Sequence, residues 1–154
     1  MDEESRNMIK KIKLFNGFNE QELEFILEKM EAKLYNPDTL IFNEGEIAGE
    51  FYIILSGNVS VFKRDSKNKM YVLAELGPGD SFGEMSLIDQ QKRSASVKCS
   101  QQTTASILSY ESVMEIHHTN VEVYAHMMLN LAREFSYRLR NMDNKYVKVM
   151  TVLF

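Results

Sequence analysis

The spacing of apolar residues along the chain changes character twice. From Met8 to Met30 it is helical, with a break near Asn16 and Gly17 that Phe15 and Phe18 flank. Asn19, with Glu22 three residues on, makes a capping-box pattern leading into Leu23, Ile26, Leu27 and Met30. Glu20, Glu22, Glu24, Glu28 and Glu31 accompany that apolar stripe. The pattern predicts two short helices, the second laying one face on the rest of the domain.

From Ala32 the period becomes that of strands. Leu34 to Asn36 runs into Pro37-Asp38, then Thr39 to Phe42, then a turn at Glu44-Gly45-Glu46. Phe51 to Leu55 is continuously apolar and meets Ser56-Gly57-Asn58, a short hairpin connection into Val59 to Lys63. Arg64 to Lys69 reads as a second hairpin tip before the strand Met70 to Leu76, which Gly77-Pro78-Gly79-Asp80 ends. Ser94 to Cys99 and Thr103 to Leu108 complete the set. Many short strands with glycine turns and no helix between them predict a mainly β fold, a closed double-sheet roll of jelly-roll type flanked by helices.

Beyond Ser109 the helical period returns. Tyr110 to His117 is short, and a long helix runs from Val121 to about Met142, with an apolar stripe of Val121, Tyr124, Met128, Leu131, Phe135 and Met142. Such a helix is about 30 Å long. Its stripe has two candidate partners: its own roll and, for the distal half, a second copy of the chain. Asn144 to Phe154 ends apolar, and a swapped strand and a strap over a neighbour are both compatible with it. The expected organisation is one domain over residues 1–154: helices in 1–31, the roll in 32–109, helices in 110–143 and the apolar tail in 144–154.

Composition adds limits. With 154 residues, 44% hydrophobic and 26% charged, the chain can build one compact core. A formal net charge of -4 provides no overall positive field for nucleic acid. Cys99 is the single cysteine, so there is no internal disulfide and no cysteine-based metal cluster, as in a reducing compartment. The N-terminus M-D-E-E-S-R is too acidic for a signal peptide and no run of about 18 apolar residues occurs, so a cytoplasmic protein with no membrane partner is expected. His117, His118 and His126 lack a carboxylate shell, so no metal site is expected, and no nucleophile–base or phosphate-loop pattern supports an enzyme.

The chemistry concentrates in Phe82 to Val97, F-G-E-M-S-L-I-D-Q-Q-K-R-S-A-S-V. Gly83 lets a ligand approach the backbone, and the N–H groups of Glu84, Met85 and Ser86 open a turn whose donors suit a phosphate. Arg93 offers a fork of charged donors, each hydrogen bond worth roughly 1.5 to 3 kcal/mol. The Glu84 carboxylate would repel phosphate, so it must turn to ligand hydroxyls or to a protein donor. A purely structural Glu84–Arg93 ion pair is the competing account of the same spacing.

These segments resemble the cyclic nucleotide-binding domain family, the β-roll of catabolite-activator-type regulators, kinase regulatory subunits and cyclic-nucleotide-gated channels. The resemblance covers roughly residues 14–140 and rests on L-F-N-G-F, I-F-N-E-G-E, F-Y-I-I-L-S-G-N-V-S-V-F and L-G-P-G-D-S-F-G-E-M-S-L-I, followed by K-R-S-A-S-V. The last two look like the family's phosphate-binding cassette. The resemblance implies that Glu84 takes the ribose 2'-hydroxyl and Arg93 the exocyclic phosphate oxygens. The amides around Gly83, Met85, Ser86 and Ala95 would seat phosphate and sugar, and Ser94 would lie near phosphate or base. It further implies that Leu73 and Ala74 line the base pocket and that Val97 adds an apolar wall. Ser86, where alanine is common, and Lys92, where proline is common, are the departures. The implied ligand is a cyclic nucleotide, cyclic AMP rather than cyclic GMP because serine, not threonine, follows the arginine. Polar candidates for reading the base from the late helix are Asn130, Arg133, Ser136 and Tyr137. The 14 residues after Arg140 are too few for a DNA-binding output domain, so a signal is expected to leave through an unidentified protein partner or a homodimer surface, unless the chain is a piece of a longer protein. A roll that kept the fold and lost its ligand, serving as a structural or interaction module, is the alternative reading.

Overall fold

The computed structural model describes residues 2–153. Two short helices, α1 (Glu3–Lys10) and α2 (Glu20–Leu27), precede the strands β1 (Glu31–Tyr35), β2 (Leu40–Phe42), β3 (Glu50–Ser56), β4 (Val59–Arg64), β5 (Met70–Leu76), β6 (Ser81–Phe82), β7 (Ser96–Cys99) and β8 (Thr103–Ser109). Two further helices follow, α3 (Tyr110–Thr119) and α4 (Val121–Leu153). The strands form two four-stranded antiparallel sheets, in the orders β1-β8-β3-β6 and β2-β7-β4-β5. This is the double-sheet roll that the strand pattern predicts. The two-residue β6, too short to leave a periodic signal, is the strand missing from that prediction.

The N-terminal break is a 3-10 turn, Lys13–Phe15, between the two helices. Asn19 accepts from the Glu22 amide while the Glu22 side chain accepts from the Asn19 amide, so the capping box forms in full. Successive side chains of a strand point to opposite faces. In β3, Phe51 and Ile53 enter a core shared with the helices, while Tyr52 and Ile54 enter the core inside the roll. Burial on both faces explains why this strand is continuously apolar. Its turn depends on Gly57, whose φ is +85° and where a Cβ would fall 2.2 Å from the Gln102 carbonyl oxygen.

The C-terminal helix departs from the expected boundaries. Instead of ending near Met142 ahead of a separate tail at 144–154, α4 continues to Leu153, about 50 Å in all; Phe154 lies outside the described residues. The buried positions are Val123, Met127 and Leu131, with Tyr124, Met128 and Phe135 partly buried beside them. Val121 and Met142, counted in the expected stripe, are 60% and 65% exposed. The stripe is thus rotated by part of a turn, because α3 and the 3-10 turn share the covering of the first half of the helix. Past Arg138, exposed Leu139, Met142, Tyr146 and Met150 follow steps of three and four.

Candidate functional site

β6 ends at Gly83, whose φ of +79° turns the chain into a 3-10 turn, Glu84–Leu87. A Cβ there would lie 2.8 Å from both the Glu50 carbonyl oxygen and Arg93 Nη1. Glycine is required by conformation and by space alike. The returning segment is fixed by backbone bonds: Ala48 N–H to Gln91, Arg93 N–H to Glu46 and Gly45 N–H to Arg93, at 3.0, 2.7 and 2.9 Å. Between turn and returning segment lies a cavity of about 330 Å³, a size typical of small-molecule sites.

Arg93 is buried against this cavity. Its guanidinium lies over the Phe42 ring, 3.9 Å from the centroid. Nη1 donates to the Glu50 carbonyl at 2.9 Å and Nη2 to the Glu50 carboxylate at 3.2 Å. Nε is buried with no hydrogen-bond partner among the described residues. Burial lowers the Arg93 pKa from its ordinary value, while the Glu50 carboxylate works against that shift. A desolvated cation with a spare donor is a standing demand for an acceptor.

Glu84 is also buried, but it does not pair with Arg93. Its carboxylate accepts from Arg138 of α4. Arg138 Nε donates to Glu134 at 3.0 Å, and Glu134 meets Lys13 of the 3-10 turn at 2.8 Å. Burial alone would raise the Glu134 carboxyl, but hydrogen bonds from Lys13 and Arg138 outweigh it and hold it below its ordinary value. An alternating ladder, Lys13–Glu134–Arg138–Glu84, thus ties the N-terminal segment through α4 to the cavity.

Of the residues expected at the site, Ala74, Gly83, Glu84, Met85, Ser86, Arg93, Ser94, Ala95 and Val97 all line this one cavity. Ser86 carries no spare donor: its amide bonds Gly83 O at 3.1 Å and its hydroxyl bonds Glu50 O at 2.8 Å. The serine that replaces alanine here therefore fastens the turn to β3. Leu73 is a correction. The β4–β5 register steps from Val61↔Ala74 to Phe62↔Val72, which leaves Leu73 as the extra residue of a bulge, 57% exposed and outside the lining. Val61 and Leu76 line the cavity in its place.

The candidates on the late helix do not reach the cavity either. Asn130 Nδ2 donates to the carbonyls of Leu14 and Asn16, Arg133 donates to Asn130, Ser136 accepts from Arg140, and Tyr137 lies beneath Lys13. Arg138 is the α4 residue lining the cavity. All three histidines make ring contacts, His126 with Phe18, His117 with Tyr124 and His118 with His117. Among the described residues no group of three or more His, Cys, Asp or Glu could hold a metal, and no helix is long and apolar enough to cross a membrane.

The profile of the cyclic nucleotide-binding domain matches residues 32–120. The chain belongs to the cyclic nucleotide-binding domain family. It is 34% identical over 130 residues to the cyclic AMP receptor protein of Thermus thermophilus, across 84% of this chain and 58% of that protein. It is 33% identical over 92 residues to a cGMP-dependent protein kinase of Plasmodium berghei, across 60% of this chain and 10% of the kinase. A crystal structure of a cyclic nucleotide-binding domain from Methylobacillus flagellatus superposes with a TM-score of 0.79 at 27% identity, covering 93% of this chain and 80% of that one. The domain spans less than two thirds of the curated receptor's length, and its family is one of regulatory binding modules rather than catalysts.

Proposed function

We propose that this domain binds a cyclic nucleotide monophosphate, cyclic AMP in preference to cyclic GMP, and reports it by moving α4. The observation that carries the reading is the Arg93 guanidinium, buried on the cavity wall with an unpartnered Nε. An exocyclic phosphate oxygen supplies the missing acceptor, and amides at the start of the 3-10 turn add donors. The ribose 2'-hydroxyl then donates to Glu84 in competition with Arg138. Because Arg138 sits on α4, a ligand that loosens the Arg138–Glu84 pair biases the helix, by no more than its differential affinity for the two placements. The preference for cyclic AMP rests on Ser94 at the cavity edge and on the similarity to a cyclic AMP receptor protein.

Output would pass through a second copy of the chain and an unidentified protein partner. The uncovered stripe Leu139, Met142, Tyr146 and Met150 at coiled-coil spacing supports pairing with another α4. Calorimetric titration with cyclic AMP and cyclic GMP tests the ligand. Micromolar cyclic AMP binding is expected for a ligand of this size, and Arg93→Leu should weaken it at least tenfold. No heat with either nucleotide at about 1 mM would return the domain to the ligand-free structural reading.

A further inference from the structure

Glu50, the first residue of β3, touches the phosphate-facing machinery at three points. Its backbone carbonyl accepts from Arg93 Nη1 at 2.9 Å and from the Ser86 hydroxyl at 2.8 Å, and its carboxylate accepts from Arg93 Nη2 at 3.2 Å. The same carboxylate oxygen accepts from the Tyr52 hydroxyl, also at 3.2 Å. The two partners differ in surroundings: the Arg93 side chain is 5% exposed, that of Glu50 48%.

Arg93 lines two cavities. One is the inner cavity already described, and the other, termed outer, has about 610 Å³ and is lined by Tyr35, Leu40, Ile47 and Tyr52 among others. Glu50 lines only the outer one. The guanidinium, stacked on the Phe42 ring, thus borders both cavities, while the Glu50 carboxylate borders the outer one alone.

We propose that Glu50 is an affinity-setting positioning residue, whose carboxylate holds Arg93 in place while competing with the bound anion for its charge. The proposal rests on reading the inner cavity as an anion site. Before ligand arrives the pair is already neutral, so a cyclic phosphodiester gains less from Arg93 than it would from an unpaired guanidinium. The carbonyl contacts of Glu50 belong to the backbone and survive any change of its side chain. Glu50→Gln keeps an oxygen acceptor for Nη2 at the same reach and removes only the charge. Affinity is thereby held below what the buried arginine would otherwise deliver, which keeps release fast enough for a sensor.

The test is calorimetric titration of cyclic AMP into the unaltered chain and into Glu50→Gln at low and high salt, with thermal melting to confirm folding. Glu50→Gln is expected to bind roughly threefold to tenfold tighter at about 50 mM salt, with the advantage shrinking toward unity at about 500 mM as the half-exposed charge is screened. Equal or weaker binding at low salt, or an effect that salt does not alter, would overturn the proposal and leave Glu50 as a structural fastener. Tyr52→Phe is a second probe should the first variant not fold. Removing the hydroxyl frees Glu50 for Arg93, so binding should weaken about twofold, and unchanged or tighter binding would again refute the idea. Binding by the unaltered chain tests the anion site itself, and the ratio between variants tests Glu50, so the two readings fail separately.

Discussion

Arg138 and Glu84 lie 54 residues apart in the chain, yet the guanidinium of one donates to the buried carboxylate of the other at the cavity wall. This contact makes the proposed ribose acceptor part of the attachment of α4. Removing Arg138 leaves the 2'-hydroxyl as the sole donor competing for Glu84. Arg138→Ala should therefore enlarge the penalty for 2'-deoxy cyclic AMP relative to cyclic AMP, by roughly threefold or more. Competition titrations with the two ligands measure that ratio, and an unchanged ratio means the hydroxyl and Arg138 do not share the carboxylate.

The ribose contact can also be probed from the acid side. Glu84→Gln should cost less affinity for the 2'-deoxy ligand than for the ribose form, because only the latter loses a charge-assisted hydrogen bond. Equal losses would assign Glu84 to holding α4 alone.

Two glycines separate stability from binding. Gly57→Ala places a Cβ 2.2 Å from a backbone oxygen far from the cavity, and Gly83→Ala places one 2.8 Å from the Glu50 carbonyl within it. Both also force a positive φ on alanine, at about 1–2 kcal/mol. Chemical denaturation should show Gly57→Ala as the more destabilised of the two. Nucleotide titration of whatever remains folded should show a loss of affinity in Gly83→Ala that Gly57→Ala lacks.

Acid should loosen the ladder at Glu134. Its carboxyl lies below the ordinary value of 4.5 in the folded chain, so the stability its contacts add is present above that value and is lost as pH falls through the lowered one. Melting temperatures measured from pH 7 down to about pH 3 should fall less steeply in Glu134→Gln than in the unaltered chain. Parallel curves would show that other carboxylates dominate the acid limb.

The distal stripe predicts self-association. Met142→Glu puts a charge at a 65% exposed position, where a lone helix tolerates it and a paired one does not. Light scattering should report a concentration-dependent dimer for the unaltered chain and a monomer for the variant, while a monomer in both would assign the stripe elsewhere.

The β-roll was legible because its signals are local: two-sided burial of β3, the Gly57 turn and the Asn19–Glu22 cap all act within a few residues. The turn and the arginine of the cassette were legible for the same reason, each being bound to a short stretch of backbone. The outward position of Leu73 is not legible in the sequence because a bulge is a relation between two strands, and alternation within one strand does not reveal where the partner slips. The place of Arg138 is not legible either, because which face of a long helix meets the cavity depends on how α3 and the N-terminal turn seat it. The elements, their order and the candidate residues for a phosphate and a sugar can be read from the chain alone, since these follow from propensity, period and functional-group chemistry. That Arg93 is held by Glu50 and Glu84 by Arg138 emerges from the folded packing, because ion pairs between distant segments are selected in three dimensions.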